Sequence, residues 1–408
     1  MSDLECWIWF SALHCLRFRT RCALLERFGT AKGVWFSDRK EIETLPGLLP
    51  EERNALLSRD EQPIKQIVRR CAEENVSILT YQDAAYPERL RNIPDPPYVL
   101  YLRGTLPAVD TEPLIAVVGT RRSSTYGERM TRRIAREIAF CGGIVVTGLA
   151  AGIDSVAAAG ALDAGGTVIG VLGVAINHVY PSSNGPLYDR VAAQGALVSE
   201  YPPDAEGAKE WFPRRNRIIA ALSLGVVVPE APLRSGALIT ANRALDYGRD
   251  VFAVPANADS PKGAGSNNLL RSGAILVQSG REVMEEYASL FPERISLADA
   301  PEEPAETAAD AQKSEPDGKA FFRFREPNRM REDAPGTPGG VLAGQLGTLT
   351  ENQLRIVSVM DHPGMHVDDI IDLTQLSASV VLSELTILQI RGFVSQEQGK
   401  RFSLNITK

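Results

Sequence analysis

The sequence predicts an α/β protein: a parallel sheet wrapped by helices on both faces, preceded by a small all-α module and followed, after a linker, by a winged helix. Three observations predict it. Short apolar runs alternate with amphipathic helical stretches through the middle of the chain, the pattern of a parallel sheet whose strands are buried on both sides. The first part carries its apolar residues at helical spacing. The last part reads helix, helix, helix, hairpin, the order of a winged helix.

In residues 1–85, Leu24, Leu25, Trp35, Phe36, Ile42, Leu45, Leu48, Leu56 and Leu57 recur at helix-like intervals, punctuated by Gly29, Gly33 and Gly47. Residues 86–292 form the core, with strands expected at 114–118, 143–146, 167–172, 196–198, 224–228, 251–254 and 274–277. Open sheets of this kind bind ligands beyond the carboxyl ends of their strands. Residues 293–346 are rich in Pro, Glu, Ala, Asp and Gly and read as a disordered linker, with one basic-aromatic island, Phe321-Phe322-Arg323-Phe324-Arg325, as a weak contact site. In 347–408 helices are expected at 349–360, 367–373 and 377–391, then strands at 393–395 and 401–404 around Gln398-Gly399-Lys400.

Composition narrows the function. The 408 residues, 44% hydrophobic and 23% charged, leave room for two or three domains. No uncharged apolar run reaches the length of about 18 that a membrane span needs, and residues 1–10 carry acids rather than a basic leader, so the cytosol is the expected compartment. The cysteines, Cys6, Cys15, Cys22, Cys71 and Cys141, form no C-x-x-C pair, so small buried thiols are expected rather than metal ligands or disulfides. A net charge of −7 argues against a protein coated in basic surface, and since bulk charge hides local sign, a nucleic-acid site needs a concentrated basic patch.

The expected strand ends supply such a patch. After the first comes Gly119-Thr120-Arg121-Arg122: glycine for close backbone approach, a helix N-terminus for free N–H groups, and arginines for bidentate bonds to phosphoryl oxygens. After the second comes a turn bracketed by Gly148 and Gly152, with Asp154 expected to cap the next helix. Arg214, Arg215, Asn216 and Arg217 open a later helix beside Trp211 and Phe212, pairing phosphate donors with rings on which bases can stack. Ser235, Gly236 and Thr240 suit a phosphate or sugar contact, and the turn 263–268 adds a fifth loop to the same rim.

That rim reads against catalysis. Its nearest acids have structural readings, Asp154 as a cap and Glu200 and Glu230 as partners for arginines, and His178 has no acid and nucleophile set around it. The chain lacks Gly-x-x-x-x-Gly-Lys-Ser/Thr and a strand-borne Gly-x-Gly-x-x-Gly, so ATPase and common dinucleotide readings fail and no cofactor or metal is expected.

The ordered series Val117-Val118-Gly119-Thr120-Arg121, Gly148-Leu149-Ala150-Ala151-Gly152-Ile153-Asp154, Tyr180-Pro181, Ser199-Glu200-Tyr201-Pro202, Phe212-Pro213-Arg214-Arg215-Asn216-Arg217, Ser235-Gly236-Ala237-Leu238-Ile239-Thr240 and Gly265-Ser266-Asn267-Asn268 resembles the DNA-processing protein A family, DprA or Smf. The resemblance implies an extended Rossmann-like core, with a helix-hairpin-helix or SAM-like module before it and a winged helix after it. It implies a non-enzymatic binder of single-stranded DNA that shields the strand from nucleases and helps load the RecA recombinase in natural transformation. Arg121 is then the central phosphate-binding residue, Arg214 to Arg217 form the second half of a basic groove, and a homodimer forms through residues 269–277. The chain departs from the family pattern at Ala151 and at Ala157-Ala158-Ala159, positions often basic or His in the family, which implies weaker contact at the second loop.

Two other readings have their own features. A nucleoside-monophosphate phosphoribohydrolase of the lysine-decarboxylase-like Rossmann group looks for Pro-Gly-Gly-x-Gly-Thr and a helix glutamate, where this chain has Ser235 to Thr240 and no acid before Asp246. A double-strand regulator acting through the winged helix meets Asp368, Asp369, Asp372 and Glu384 around a recognition helix whose one base is Arg391, which suits protein contact better. Arg17, Arg19, Arg21 and Lys32 leave DNA contact open for the first module.

Overall fold

The computed structural model describes residues 1–298, 350–360, 365–374, 376, 378–390, 393–397 and 401–404, in two units, Met1–Thr307 and Ala308–Lys408. The island 321–325 and Arg391 lie outside the described residues, as does the expected linker from residue 299 onward.

The first unit opens with helices α1 (Asp3–Ala12), α2 (Phe18–Phe28), α3 (Ala31–Phe36), α4 (Arg39–Thr44), α5 (Pro50–Ser58) and α6 (Gln62–Glu73). A capping box starts α1: Ser2 Oγ accepts from Glu5 N at 3.3 Å while the Glu5 carboxylate accepts from Ser2 N at 2.6 Å. Deep in this module the Glu52 carboxylate accepts from Arg17 N, Nε and Nη2, Thr20 Oγ1 and Leu49 N, tying the start of α2 to that of α5.

The sheet follows: β1 (Ser77–Thr80), α7 (Glu88–Arg91), β2 (Val99–Gly104), β3 (Leu114–Val117), α8 (Thr125–Phe140), β4 (Ile144–Thr147), α9 (Ile153–Asp163), β5 (Val168–Leu172), α10 (Gly185–Gln194), β6 (Ala196–Ser199), α11 (Trp211–Leu222), β7 (Gly225–Val228), α12 (Gly236–Asp246), β8 (Asp250–Ala253), α13 (Ala264–Arg271), β9 (Ile275–Leu276) and α14 (Gly280–Glu285). The seven expected strands are β3 to β9, all parallel to their neighbours in the order β6-β5-β4-β3-β7-β8-β9. Strands β1 and β2 extend the sheet and were not among those expected: β1 pairs antiparallel with β2, and β2 antiparallel with β6. The residues of β1, Ser77-Ile78-Leu79-Thr80, show no alternation of polar and apolar side chains.

Alternate residues of the strands enter opposite layers. Ile115, Val117 and Val145 pack with Ile134, Ala157 and Val191 of α8, α9 and α10, whereas Leu114, Ala116 and Val146 pack with Ile219, Ala241 and Leu269 of α11, α12 and α13. The sheet is thereby buried on both faces, and each fully covered aliphatic side chain contributes about 1.5–3 kcal/mol. Neighbours β3 and β7 send their following helices, α8 and α12, to opposite layers, which opens a crevice between their carboxyl ends.

The second unit is a winged helix: α15 (Glu351–Val359), β10 (Met365–His366), α16 (Val367–Thr374), α17 (Ala378–Ile390), β11 (Val394–Glu397) and β12 (Arg401–Leu404). Its strands pair in the order β10-β12-β11 over a core that includes Ile356, Ile370, Val381, Leu385 and Phe402. Gln353 Nε2 donates to the Glu384 carboxylate at 2.7 Å. No helix among the described residues is long and apolar enough to cross a membrane.

Candidate nucleic-acid interface

The crevice between β3 and β7 is a cleft of about 530 Å³. The loop after β3, the start of α9, one face of α11 and the loop leading into α12 line it. Gly119, Thr120, Arg121, Arg122, Arg215, Asn216, Ser235, Gly236 and Thr240 all reach it, so most of the expected site residues come together.

The β3 loop is held by its backbone and presents its cations. Thr120 N donates to Glu230 O at 2.9 Å, and Thr120 Oγ1 accepts from Arg122 N at 3.2 Å. Arg121 and Arg122 are exposed, and the Arg121 guanidinium lies 5.3 Å from the centroid of the Phe212 ring. Tyr180 tilts against the same ring at 5.2 Å. Gly152 turns with φ +79° beneath this loop, where a Cβ would come within 2.4 Å of Thr120 O, so the turn admits only glycine.

Asp154 joins two of the loops. Gly152, not Asp154, is the N-cap of α9; the Asp154 carboxylate instead accepts from Gly119 N at 3.2 Å and from Gly148 N at 3.1 Å, one oxygen for each strand-end turn. The expected capping role is therefore corrected to a bridge between loops. Burial pushes its carboxyl above the usual carboxylate range, against the pull of Arg215 and of the backbone N–H groups. Gly148 sits behind the cleft, its carbonyl accepting from Arg215 Nη1 at 2.8 Å.

The run at the start of α11 divides between two directions. Arg215 is buried, with Nη1 bonded to the carbonyls of Gly148 and Val171, and only part of it lines the cleft. Asn216 Nδ2 reaches Gly236 O at 3.3 Å across the cleft. Arg217 turns away: Nη2 pairs with Glu200 at 2.7 Å and Nε with Asp95 at 3.3 Å. Arg214 follows it to Glu200 at 3.6 Å. The four-residue groove half expected here is thus reduced to Arg215 and Asn216, because residues three apart share a helix face and 214 and 217 share the one toward Glu200.

Other expectations change in the same way. Trp211 is spent on Tyr201, stacked at 3.6 Å and 6°, which leaves Phe212 as the ring at the cleft. Glu230 accepts from Ser124 N and Oγ at 2.8 and 2.6 Å rather than pairing with an arginine, while Glu200 does pair with arginines as expected. Ser235 caps α12 through Ala237 N, and Thr240 is buried in the cleft floor. In the fifth loop Ser266 and Asn267 bond to Ala231 and Ala256 as framework. In the first module Arg17 pairs with Glu52, Lys32 with Asp3, and Arg21 is buried against the carbonyls of Phe10, Leu13 and Leu16, so Arg19 is left as the exposed candidate there. Among the cysteines Cys6, Cys71 and Cys141 are buried, Cys22 is half-buried and Cys15 is exposed.

Two cations were missed. Arg234 and Lys262 are exposed and line the cleft, Lys262 donating to Ser123 O at 3.0 Å. Lys262 directly precedes the fifth glycine turn, the one signal in the sequence that marks it.

A family model described as DNA recombination-mediator protein A matches residues 77–288, from β1 to just beyond α14, and a second, the DprA winged helix domain, matches 343–400. Protein Smf of Synechocystis is 34% identical over 345 residues, 83% of this chain and 82% of its own length. The chain belongs to the DprA/Smf family. The crystal structure of DNA processing protein A from Streptococcus pneumoniae superposes with TM-score 0.61 at 31% identity, covering 70% of this chain and 98% of that one. A structure from Helicobacter pylori, described in terms of the single-stranded DNA binding mode of its DprA, matches at 31% identity over 52% of this chain and 96% of that one, with TM-score 0.48.

Proposed function

We propose that the cleft binds the backbone of single-stranded DNA, and that the chain shields the strand and delivers it to the RecA recombinase in the cytosol during DNA uptake. The observation that carries this is the lining of the cleft. Arg121, Arg122, Arg234 and Lys262 stand exposed around it, while the one carboxylate in its wall, Asp154, gives both oxygens to backbone N–H groups. Cations contributed by three separate strand-end loops suit successive phosphates of a polymer, and Phe212 beside Arg121 offers a face on which any base can stack. Membership of a DNA-processing family supports the same reading. Homodimerisation through residues 269–277 is part of it, supported by the exposure of Ile275 and Leu276 on the edge strand β9.

The test is binding to oligo-dT. Arg121→Ala is expected to weaken it by about tenfold or more, and to lower the slope of log K against log salt by about 0.7, the release expected for one single-strand phosphate. Equal affinity for the variant and the parent overturns the reading. RecA filament growth on a strand coated with single-strand binding protein tests the delivery step.

A further inference from the structure

Outside the cleft, a groove of about 360 Å³ runs between α8, α9 and α10, lined in part by Arg132, Ser155, Ala159, Ser183, Asn184 and Arg190. Arg132 Nη1 and Arg190 Nη2 reach the two oxygens of one acid, Asp163, at 3.3 and 2.7 Å. The side chains remain 46% and 43% exposed, so two positive charges face solvent against one negative. A guanidinium has five N–H donors, and Asp163 holds each fork in place while leaving donors free. Arg129, one turn earlier on α8, is exposed over the Tyr126 ring at 5.8 Å and meets no carboxylate within ion-pair distance among the described residues. The other acids of α8 are committed, Glu128 to Ser123 and Glu137 to Arg133, and Asp189 of α10 lies 3.8 Å from Arg103.

Groove and cleft share their walls. Helix α8 starts three residues after Arg122 and carries Arg132 roughly 10 Å further along its axis, at 1.5 Å per residue. Helix α9 gives Asp154 to the cleft and Ser155 and Ala159 to the groove. Asn184 Nδ2 bonds to both Leu149 O and Ser155 Oγ, at 2.9 and 2.8 Å, and fixes the boundary between the two. The turn 148–154 has no basic residue of its own, so the next basic residues after Arg121 and Arg122 on these elements are Arg129 and Arg132 of α8, with Arg190 of α10 beside Arg132 in the groove.

We propose that this groove is a second backbone-phosphate station, to which a single strand passes from the cleft along α8. The proposal rests on the cleft reading, and oligonucleotide length separates the two. On the full chain, Arg132→Ala with Arg190→Ala is expected to leave the affinity for an oligo-dT of about 6 nucleotides unchanged and to weaken that for one of about 25 severalfold. The salt slope for the long strand should fall by roughly 1.4, two phosphates at about 0.7 each. Ala159→Lys, which adds a charge to the groove floor, is expected to tighten the long strand alone. Unchanged long-strand affinity in the double variant overturns the proposal, as does an equal loss for both lengths, which marks structural damage. Arg121→Ala weakens both lengths when the cleft reading holds; if it weakens neither, the cleft reading itself fails.

Discussion

Replacing Asp154 by alanine removes a side chain that ties the turns after β3 and β4 together. Its carboxylate accepts from Gly119 N at 3.2 Å and from Gly148 N at 3.1 Å, in a side chain that is 5% exposed. Hydrogen bonds to a charged partner contribute about 1.5–3 kcal/mol each, so the gross loss is about 3–6 kcal/mol. Relief of the burial penalty, which raises this carboxyl's pKa, offsets part of that loss, so the net destabilisation is smaller than the gross figure. All four tryptophans, Trp7, Trp9, Trp35 and Trp211, belong to the first unit, so urea unfolding followed by their fluorescence reports on that unit alone. The expected result is a lower midpoint with an unchanged slope. The reasoning also requires weaker oligo-dT binding under conditions where the variant is folded, because Gly119 and its neighbours lose their anchor. A midpoint equal to the parent's, with full DNA affinity, refutes the role assigned to this residue.

Three further expectations follow from buried charge and burial. Arg217→Ala leaves Glu200 buried without its closest partner, at a cost of about 3–5 kcal/mol in urea unfolding, yet the folded variant should keep its affinity for oligo-dT because Arg217 does not line the cleft. Its Arg17 and Thr20 partners hold the Glu52 carboxyl down at about 2, below the value of about 4.3 expected unfolded, so its contribution is complete above that pH and is lost as pH falls toward 2. Acid titration of the parent and Glu52→Gln should differ in stability above that window and converge below it. Burial pushes the Cys6 and Cys71 thiols up to about 11, so a thiol reagent at pH 8 should label exposed Cys15 first and reach these two only on unfolding, as peptide mapping will show.

Much of the architecture was legible because it depends on short-range pattern. Strands β3 to β9 each follow from an apolar run bounded by glycine or polar residues, and the order of the winged helix follows from three helical stretches and a hairpin. Strands β1 and β2 were not among the strands expected; β1 pairs with β2 about twenty residues on, and β2 lies against β6, nearly a hundred residues on. The basic turn after β3 was legible for the same reason that its loop exists, because Gly119 must follow a strand and precede a helix.

What the sequence by itself determined is where cations occur and which loops carry them. Tertiary structure alone decided which cations line the cleft. Arg214, Arg215, Asn216 and Arg217 are adjacent in sequence, but successive helical residues point about 100° apart, so the packing of α11 sends two toward Glu200 and leaves two at the cleft. Arg234 and Lys262, unremarkable as isolated charges, enter the cleft because β7 and β8 end on the same rim as β3. The sign and spacing of a site thus depend on side-chain direction and on crossovers, and neither is a local property of the chain.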